Sequence, residues 1–156
     1  MKVSFVTIGK TAEEYLRQGM SIYENRLNNY ITLESIVLPE GKKSKNTNII
    51  QQKINEGRAF LKILSETDVV ILLDERGKSF SSAEFSEFLQ RQFLQSVKRI
   101  VFIVGGPFGF SEEMYNRANG LIALSKMTFS HQMVRLIFLE QLYRAMTIMK
   151  NEQYHH

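Results

Sequence analysis

Asp68-Val69-Val70-Ile71-Leu72-Leu73-Asp74 is an unbroken apolar run closed at each end by an aspartate. A strand with one wet face alternates apolar and polar residues. This run does not, so it reads as a strand covered on both faces, as in a parallel sheet. Ile100-Val101-Phe102-Ile103-Val104 repeats the pattern. Between the two runs, Ser81-Ser82-Ala83-Glu84 has the spacing of a capping box, with Phe85, Leu89 and Phe93 recurring at helical intervals behind it.

The same alternation extends in both directions. Upstream, Val3–Ile8 reads as a buried strand ending at Gly9, and Thr11-Ala12-Glu13-Glu14 as a second capping box. Leu16, Met20, Tyr23, Leu27 and Tyr30 then mark one helix face. Ile31–Leu38 is a further strand stopped by Pro39 and Gly41, and the next helix carries Ile50, Ile54, Leu61 and Leu64 on one face. Downstream, Ser111 caps a short helix ending near Gly120, and Leu121–Leu124 is a fifth strand. A last helix from about Gln132 to Met149 presents Val134, Phe138, Leu142, Ala145 and Met149. Strands alternating with helices predict an α/β domain with a mainly parallel sheet flanked by helices. No repeat or linker interrupts it, so one domain over residues 1–156 is expected.

Composition narrows the function classes. The 156 residues include no cysteine, which removes disulfides, thiolate metal sites and thiol catalysis. The three histidines, at 131, 155 and 156, have no zinc-site spacing, so no metal is expected. No apolar run approaches the roughly 20 residues that span a bilayer. Met1–Val6 is too short and strand-like for a signal peptide, so the expected compartment is the cytoplasm and no membrane partner is expected. The net charge of +4 leans mildly toward a polyanionic partner.

Ligands of open α/β sheets bind beyond the carboxyl ends of the strands. Three such ends carry unusual residues: Leu73-Asp74-Glu75-Arg76-Gly77-Lys78, Gly105-Gly106-Pro107-Phe108-Gly109 and Ser125-Lys126-Met127-Thr128-Phe129-Ser130-His131. Glycine lets a backbone approach a ligand closely, but a Gly-Gly-Pro turn also serves as a tight connection with no ligand. Neither GxGxxG nor GxxxxGK[ST] occurs, which disfavours dinucleotide and P-loop phosphate sites. Lys42, Lys43 and Lys45 form the densest basic cluster. From the residues alone, both a phosphate-contacting loop and a solvated one remain open.

Taken in order, Leu73-Asp74-x-x-Gly77-Lys78, Ile103-Val104-Gly105-Gly106-Pro107-x-Gly109, Leu124-Ser125-x-x-Thr128-x-x-His131-x-x-Val134-Arg135, Glu140-Gln141-Leu142-Tyr143-Arg144-Ala145 and Tyr154-His155 are more specific than any one loop. The set resembles the RlmH family, small SPOUT-class methyltransferases that modify a pseudouridine at N3 in bacterial 23S rRNA. The resemblance covers essentially the whole chain, and the loop Gly41-Lys42-x-x-Lys45-Asn46 also fits it. One departure is His156, where a Lys or Arg would be more typical.

The resemblance implies a C-terminal trefoil knot, a homodimer and S-adenosylmethionine as cofactor, with 23S rRNA in the assembled ribosome as substrate. It implies that Leu73, Gly105, Leu124, Ser125, Lys126, Met127, Thr128 and Phe129 hold the cofactor. His131, Arg135, Tyr154 and His155 are the implied catalytic set, and Lys42, Lys43 and Lys45 the RNA-contacting set. Each has a plainer alternative: a cap for His131, an acidic partner for Arg135, a dispensable terminus for Tyr154 and His155. Glu140 and Arg144, four residues apart, read as a salt bridge before they read as catalytic. Two other functions compete: a ribosome-associated RNA-binding protein without catalysis, and a SPOUT methyltransferase acting on transfer RNA.

Overall fold

Strands and helices alternate along the chain. The computed structural model describes residues 1–41, 46 and 48–155. The elements are β1 (Lys2–Ile8), α1 (Glu14–Leu27), β2 (Thr32–Leu38), α2 (Ile49–Ile63), β3 (Val69–Ser79), α3 (Ser82–Leu94), β4 (Arg99–Val104), α4 (Glu112–Arg117), β5 (Gly120–Ala123) and α5 (Met133–Met149). The strands form one sheet in the order β2-β1-β4-β3-β5, and every neighbouring pair is parallel.

The continuous apolar strands are explained by cores on both faces. Val3, Phe5, Ile100 and Phe102 pack with Leu27, Phe85, Leu89 and Phe138 from α1, α3 and α5. Val6, Val70, Leu72, Val101 and Ile103 pack with Phe60 of α2 and Met114 of α4 on the other face. Phe138 anchors the first layer, with its ring 5.0 Å from Phe5 and 4.8 Å from Phe102. Burying an aromatic side chain in this way contributes on the order of 3 kcal/mol.

Local expectations hold unevenly. The Ser81 capping box is present, with Ser81 Oγ accepting from Glu84 N and Glu84 Oε2 from Ser81 N. Ser111 caps α4 as expected. The box expected at Thr11–Glu14 is absent: α1 begins at Glu14 behind Glu13, with no side-chain cap. Thr11 is engaged elsewhere, its Oγ1 accepting from Arg135 Nη1 at 3.1 Å. The apolar face of α2 is also shifted. Gly57 and Phe60 are buried, whereas Ile50 is 67% exposed at the solvent end. A short helix that meets the sheet along its second half leaves its first turn outside the core.

β3 outruns its neighbours. Its register with β5 passes from Leu73↔Ile122 to Lys78↔Ile122, so residues 74–77 bulge out of the ladder. Gly77 then returns against the β5 backbone. A Cβ there would lie 2.5 Å from the Leu121 carbonyl carbon and 2.6 Å from Ile122 N, too close for any side chain. The bulge therefore depends on glycine, and it re-aims Asp74, Glu75 and Arg76 over the carboxyl edge of the sheet.

At the opposite edge Asp68 is clamped by Arg99. Arg99 Nε donates to Oδ1 at 2.8 Å, Nη2 donates to Oδ2, and Ser65 N donates to Oδ2 at 2.7 Å. The Arg99 guanidinium, and then the Ser65 amide, hold the Asp68 carboxyl below the usual carboxylate range against the cost of burial. Because the folded carboxyl titrates below the unfolded one, the pair stabilises the fold above about pH 4 and loses that contribution as pH falls further. Asp68→Asn is expected to cost about 3 kcal/mol at pH 7. In urea unfolding, the gap between wild type and variant should shrink as pH falls below about 4; a gap independent of pH would refute the ion-pair assignment.

Candidate active site

The sheet order brings the three unusual loops together. β4, β3 and β5 are adjacent, and Leu73 is in register with both Val104 and Ile122. Their carboxyl ends therefore open on one edge, around a cavity of about 540 Å³. Leu73, Gly105, Leu124, Ser125, Met127, Thr128 and Phe129 line it, together with His131. Lys126 belongs to the same loop but is not part of the lining.

Side-chain hydrogen bonds shape the walls. Ser125 Oγ accepts from Met127 N at 2.9 Å, and Ser130 Oγ from Met133 N at 3.0 Å. Thr128 Oγ1 donates to Glu75 Oε2 at 3.1 Å, joining the loop after β5 to the β3 bulge. Asp74 accepts from the Tyr115 hydroxyl and, at 2.8 Å, from Arg76 N. Burial, then the bond to Asp74, raises the Tyr115 phenol pKa. The Arg76 guanidinium stacks 4.3 Å above the Tyr115 ring. A Cβ on Gly105 would lie 3.2 Å from the Phe110 ring, so a side chain there would press on the cavity wall. Asp74 and Glu75 stood inside a motif already singled out; nothing in the sequence marked Tyr115, which lines the cavity from α4 with its hydroxyl on Asp74.

The expected catalytic residues do not converge within one chain. His131 lines the cavity, at the turn before α5. Arg135 is 1% exposed, and its guanidinium donates to Ile8 O at 2.7 Å, Gly9 O at 2.8 Å, Thr11 Oγ1 at 3.1 Å and His131 O at 3.2 Å. Burial lowers its pKa, and the charge of Glu40 opposes that shift. The acidic partner considered from sequence is absent: no carboxylate lies within ion-pair distance of Arg135 among the described residues.

Tyr154 packs on the helical layer instead of the cavity. Its hydroxyl donates to Glu140 Oε1 at 3.1 Å and lies 3.5 Å from that of Tyr23, and its ring meets Tyr143 edge-on at 4.7 Å. Burial is the main cause of its raised pKa. Glu140 and Arg144 form the expected i,i+4 ion pair at 2.7 Å, with the Arg144 guanidinium 4.9 Å over the Tyr154 ring. Tyr30 donates to Glu152 Oε2 at 2.7 Å, a bond that pushes its pKa up to about 12. His155 is exposed. Lys42, Lys43 and Lys45 lie outside the described residues. No group of carboxylates and histidines that could hold a metal occurs among the described residues, and no helix there is long and apolar enough to cross a membrane.

A parallel α/β sheet with a cavity over three adjacent strand ends has the arrangement in which α/β proteins bind small molecules. The family model described as "Predicted SPOUT methyltransferase" matches residues 1–155, and the chain belongs to that family. Membership implies the C-terminal trefoil knot. Curated relatives match over the full chain: 53% identity in Christiangramia forsetii and 52% in Parabacteroides distasonis, each over 100% of this chain and 99% of the relative. A relative in Cytophaga hutchinsonii is 49% identical over 100% of both chains. All three are named "Ribosomal RNA large subunit methyltransferase H".

Arg135→Met should remove the donors to Ile8 O and Gly9 O without filling their place. Unpaired buried acceptors cost about 1–3 kcal/mol each, so a total loss of about 3–5 kcal/mol is expected in chemical denaturation. Arg135→Lys, which keeps the charge but not the fork, should fall between. A loss under 1 kcal/mol for the Met variant would show that the carbonyls find other donors.

Proposed function

We propose that this chain is a single-domain, S-adenosylmethionine-dependent methyltransferase acting on N3 of a pseudouridine in 23S rRNA. In this reading it works as a homodimer in the bacterial cytoplasm, on the assembled ribosome. The observation that carries the reading is the cavity at the β4, β3 and β5 ends, in a chain whose full-length relatives are named for ribosomal RNA methylation.

The cavity fits the cofactor. Leu73, Leu124, Met127 and Phe129 supply apolar surface for an adenine, and exposed main-chain groups beside Gly105 can read its edge. Ser125 and Thr128 add hydroxyls, and Lys126 completes the loop. When bound, the cofactor supplies an electrophilic methyl group. The chain's own task is to hold the acceptor nitrogen in line and to help its proton leave. His131 is the imidazole on the cavity wall placed for that proton. Arg135 serves by fixing the turn that carries His131, since its guanidinium is committed to backbone oxygens.

Tyr154 and His155 are away from their own chain's cavity, so in this reading they act in the partner's site. Tyr154 offers a stacking face, and His155 a hydrogen bond, to an extruded base. Lys42, Lys43 and Lys45 would add phosphate attraction.

Mass mapping of ribosomal RNA from a strain lacking this protein tests the function directly. One methyl group should be lost from a 23S pseudouridine and return on complementation; an unchanged map would refute the reading, and a lost transfer-RNA methyl would favour the other substrate. Calorimetry tests the non-catalytic alternative, which an absence of S-adenosylmethionine binding would favour. Deleting Tyr154–His156 should reduce turnover at least about 100-fold while leaving cofactor affinity and dimer mass unchanged, because small misplacements of an acceptor are costly. Full turnover by the truncated protein would remove the tail from the mechanism. Neutralising Lys42, Lys43 and Lys45 together should weaken binding and lower the slope of log affinity against log salt by about 2–3. An unchanged slope would return these residues to the solvated surface.

A further inference from the structure

A second cavity, of about 200 Å³, lies beside the first and shares Gly106, Pro107 and His131 with it. Its remaining wall comes from Ile8 at the end of β1, from the Pro39–Gly41 turn and from α2, and it carries the polar side chains of Glu40, Gln52, Asn55 and Glu56. The two cavities thus meet at the glycine turn and at the His131 imidazole.

The polar groups of this wall are not equivalent. Glu40 is felt by the buried Arg135, whose charge it supports. Asn55 Oδ1 accepts from Gln51 Nε2 at 2.9 Å. Glu56 forms no ion pair among the described residues. Its Oε1 accepts from Gln52 Nε2 at 3.2 Å, which orients the carboxylate, and its Oε2 has no donor among those residues. The carboxylate also presses close to the turn. A Cβ built on Gly106 would lie 2.8 Å from both Glu56 oxygens, so a residue larger than glycine would displace them. An acceptor with no donor among the described residues is therefore held against the turn that divides the two cavities.

We propose that Glu56 determines specificity for the acceptor base, accepting a hydrogen bond from the N1–H that pseudouridine has and uridine lacks. The proposal rests on the methyltransferase reading above. When the glycosidic bonds of the two nucleosides are superimposed, their N3 atoms coincide. Pseudouridine N1–H then falls where uridine carries a C5–H. With N3 turned toward the donor cavity, the N1–H edge points to one side of it, where the second cavity opens. A carboxylate there gains a charge-assisted hydrogen bond from pseudouridine and is left desolvated and unpaired against uridine. Sites built to hydrogen-bond an N–H or O–H reject analogues that lack it far more strongly than apolar pockets reject a missing methylene.

The test uses large ribosomal subunits carrying either pseudouridine or uridine at the target position, the latter from a strain lacking the relevant pseudouridine synthase. Wild-type protein should prefer the pseudouridine subunits by at least about 100-fold in kcat/KM. Glu56→Leu should lower kcat/KM on pseudouridine at least about tenfold and leave the uridine value within about twofold, so that the ratio narrows. Cofactor affinity by calorimetry should stay at wild type. Equal loss on both substrates, or loss on neither, would overturn the proposal. Should Glu56→Leu fail to fold, Glu56→Gln carries the test: a neutral acceptor should narrow the ratio by about threefold or more, and an unchanged ratio overturns the proposal. Wild-type protein that methylates neither kind of subunit would defeat the methyltransferase reading itself, a result distinct from a variant pattern that defeats only the role of Glu56.

Discussion

A guanidinium buried among backbone oxygens is the fixed point of this molecule. Arg135 joins Ile8 O and Gly9 O, at the end of β1, to His131 O, at the start of α5. A buried carbonyl needs a donor, and the guanidinium supplies one to each of these three. An arginine fork spreads five donors over several oxygens at once, where a lysine ammonium has three on a single atom. Gln132 adds a second clasp, its Oε1 accepting from Ala12 N at 2.8 Å. The turn carrying His131 is therefore tied to the end of β1, not only to its own loop. Burying a cation without a carboxylate is costly, and here it is tolerated because each guanidinium nitrogen meets an oxygen.

The larger cavity follows from strand order. β3 lies between β4 and β5, so loops far apart in sequence open on one edge. The bulge at residues 74–77 then swings Asp74, Glu75 and Arg76 over that edge, and the Thr128–Glu75 bond closes the wall. The only side chain that fits where the bulge returns is no side chain at all, because Gly77 lies against the backbone of Leu121 and Ile122. The second cavity exists for a related reason: the glycine turn after β4 is thin enough for the Glu56 carboxylate to lie against it.

What could be read from sequence divides along physical lines. The apolar runs at 69–73 and 100–104 announced strands covered on both sides, because two-sided burial erases alternation. The loops around Leu73, Gly105 and Leu124–Phe129 were visible as candidates, because ligand sites of such sheets lie at carboxyl ends. Arg135 was read as a catalytic residue or as half of an ion pair, since nothing local distinguishes a solvated arginine from one that caps carbonyls more than a hundred positions away. The same distant contact withdrew Thr11 from its capping box. The first turn of α2 was assigned to the core by periodicity, which cannot tell where a helix leaves the sheet. Glu56 carried no motif; only the approach of α2 to the glycine turn gives it meaning.

An all-parallel sheet also governs how the molecule comes into being. None of its pairs can form as a hairpin: Lys2 pairs with Thr32 on one side and with Arg99 on the other. Each pairing closes a long loop before its contacts are gained, so such a chain folds slowly for its size. The larger cavity needs β4, β3 and β5 all in place, and so belongs to the end of that process. A chain arrested earlier has strands and helices but no such cavity. Any small molecule that binds at this edge is thus selective for the completed fold, and its supply would add directly to the population of finished protein.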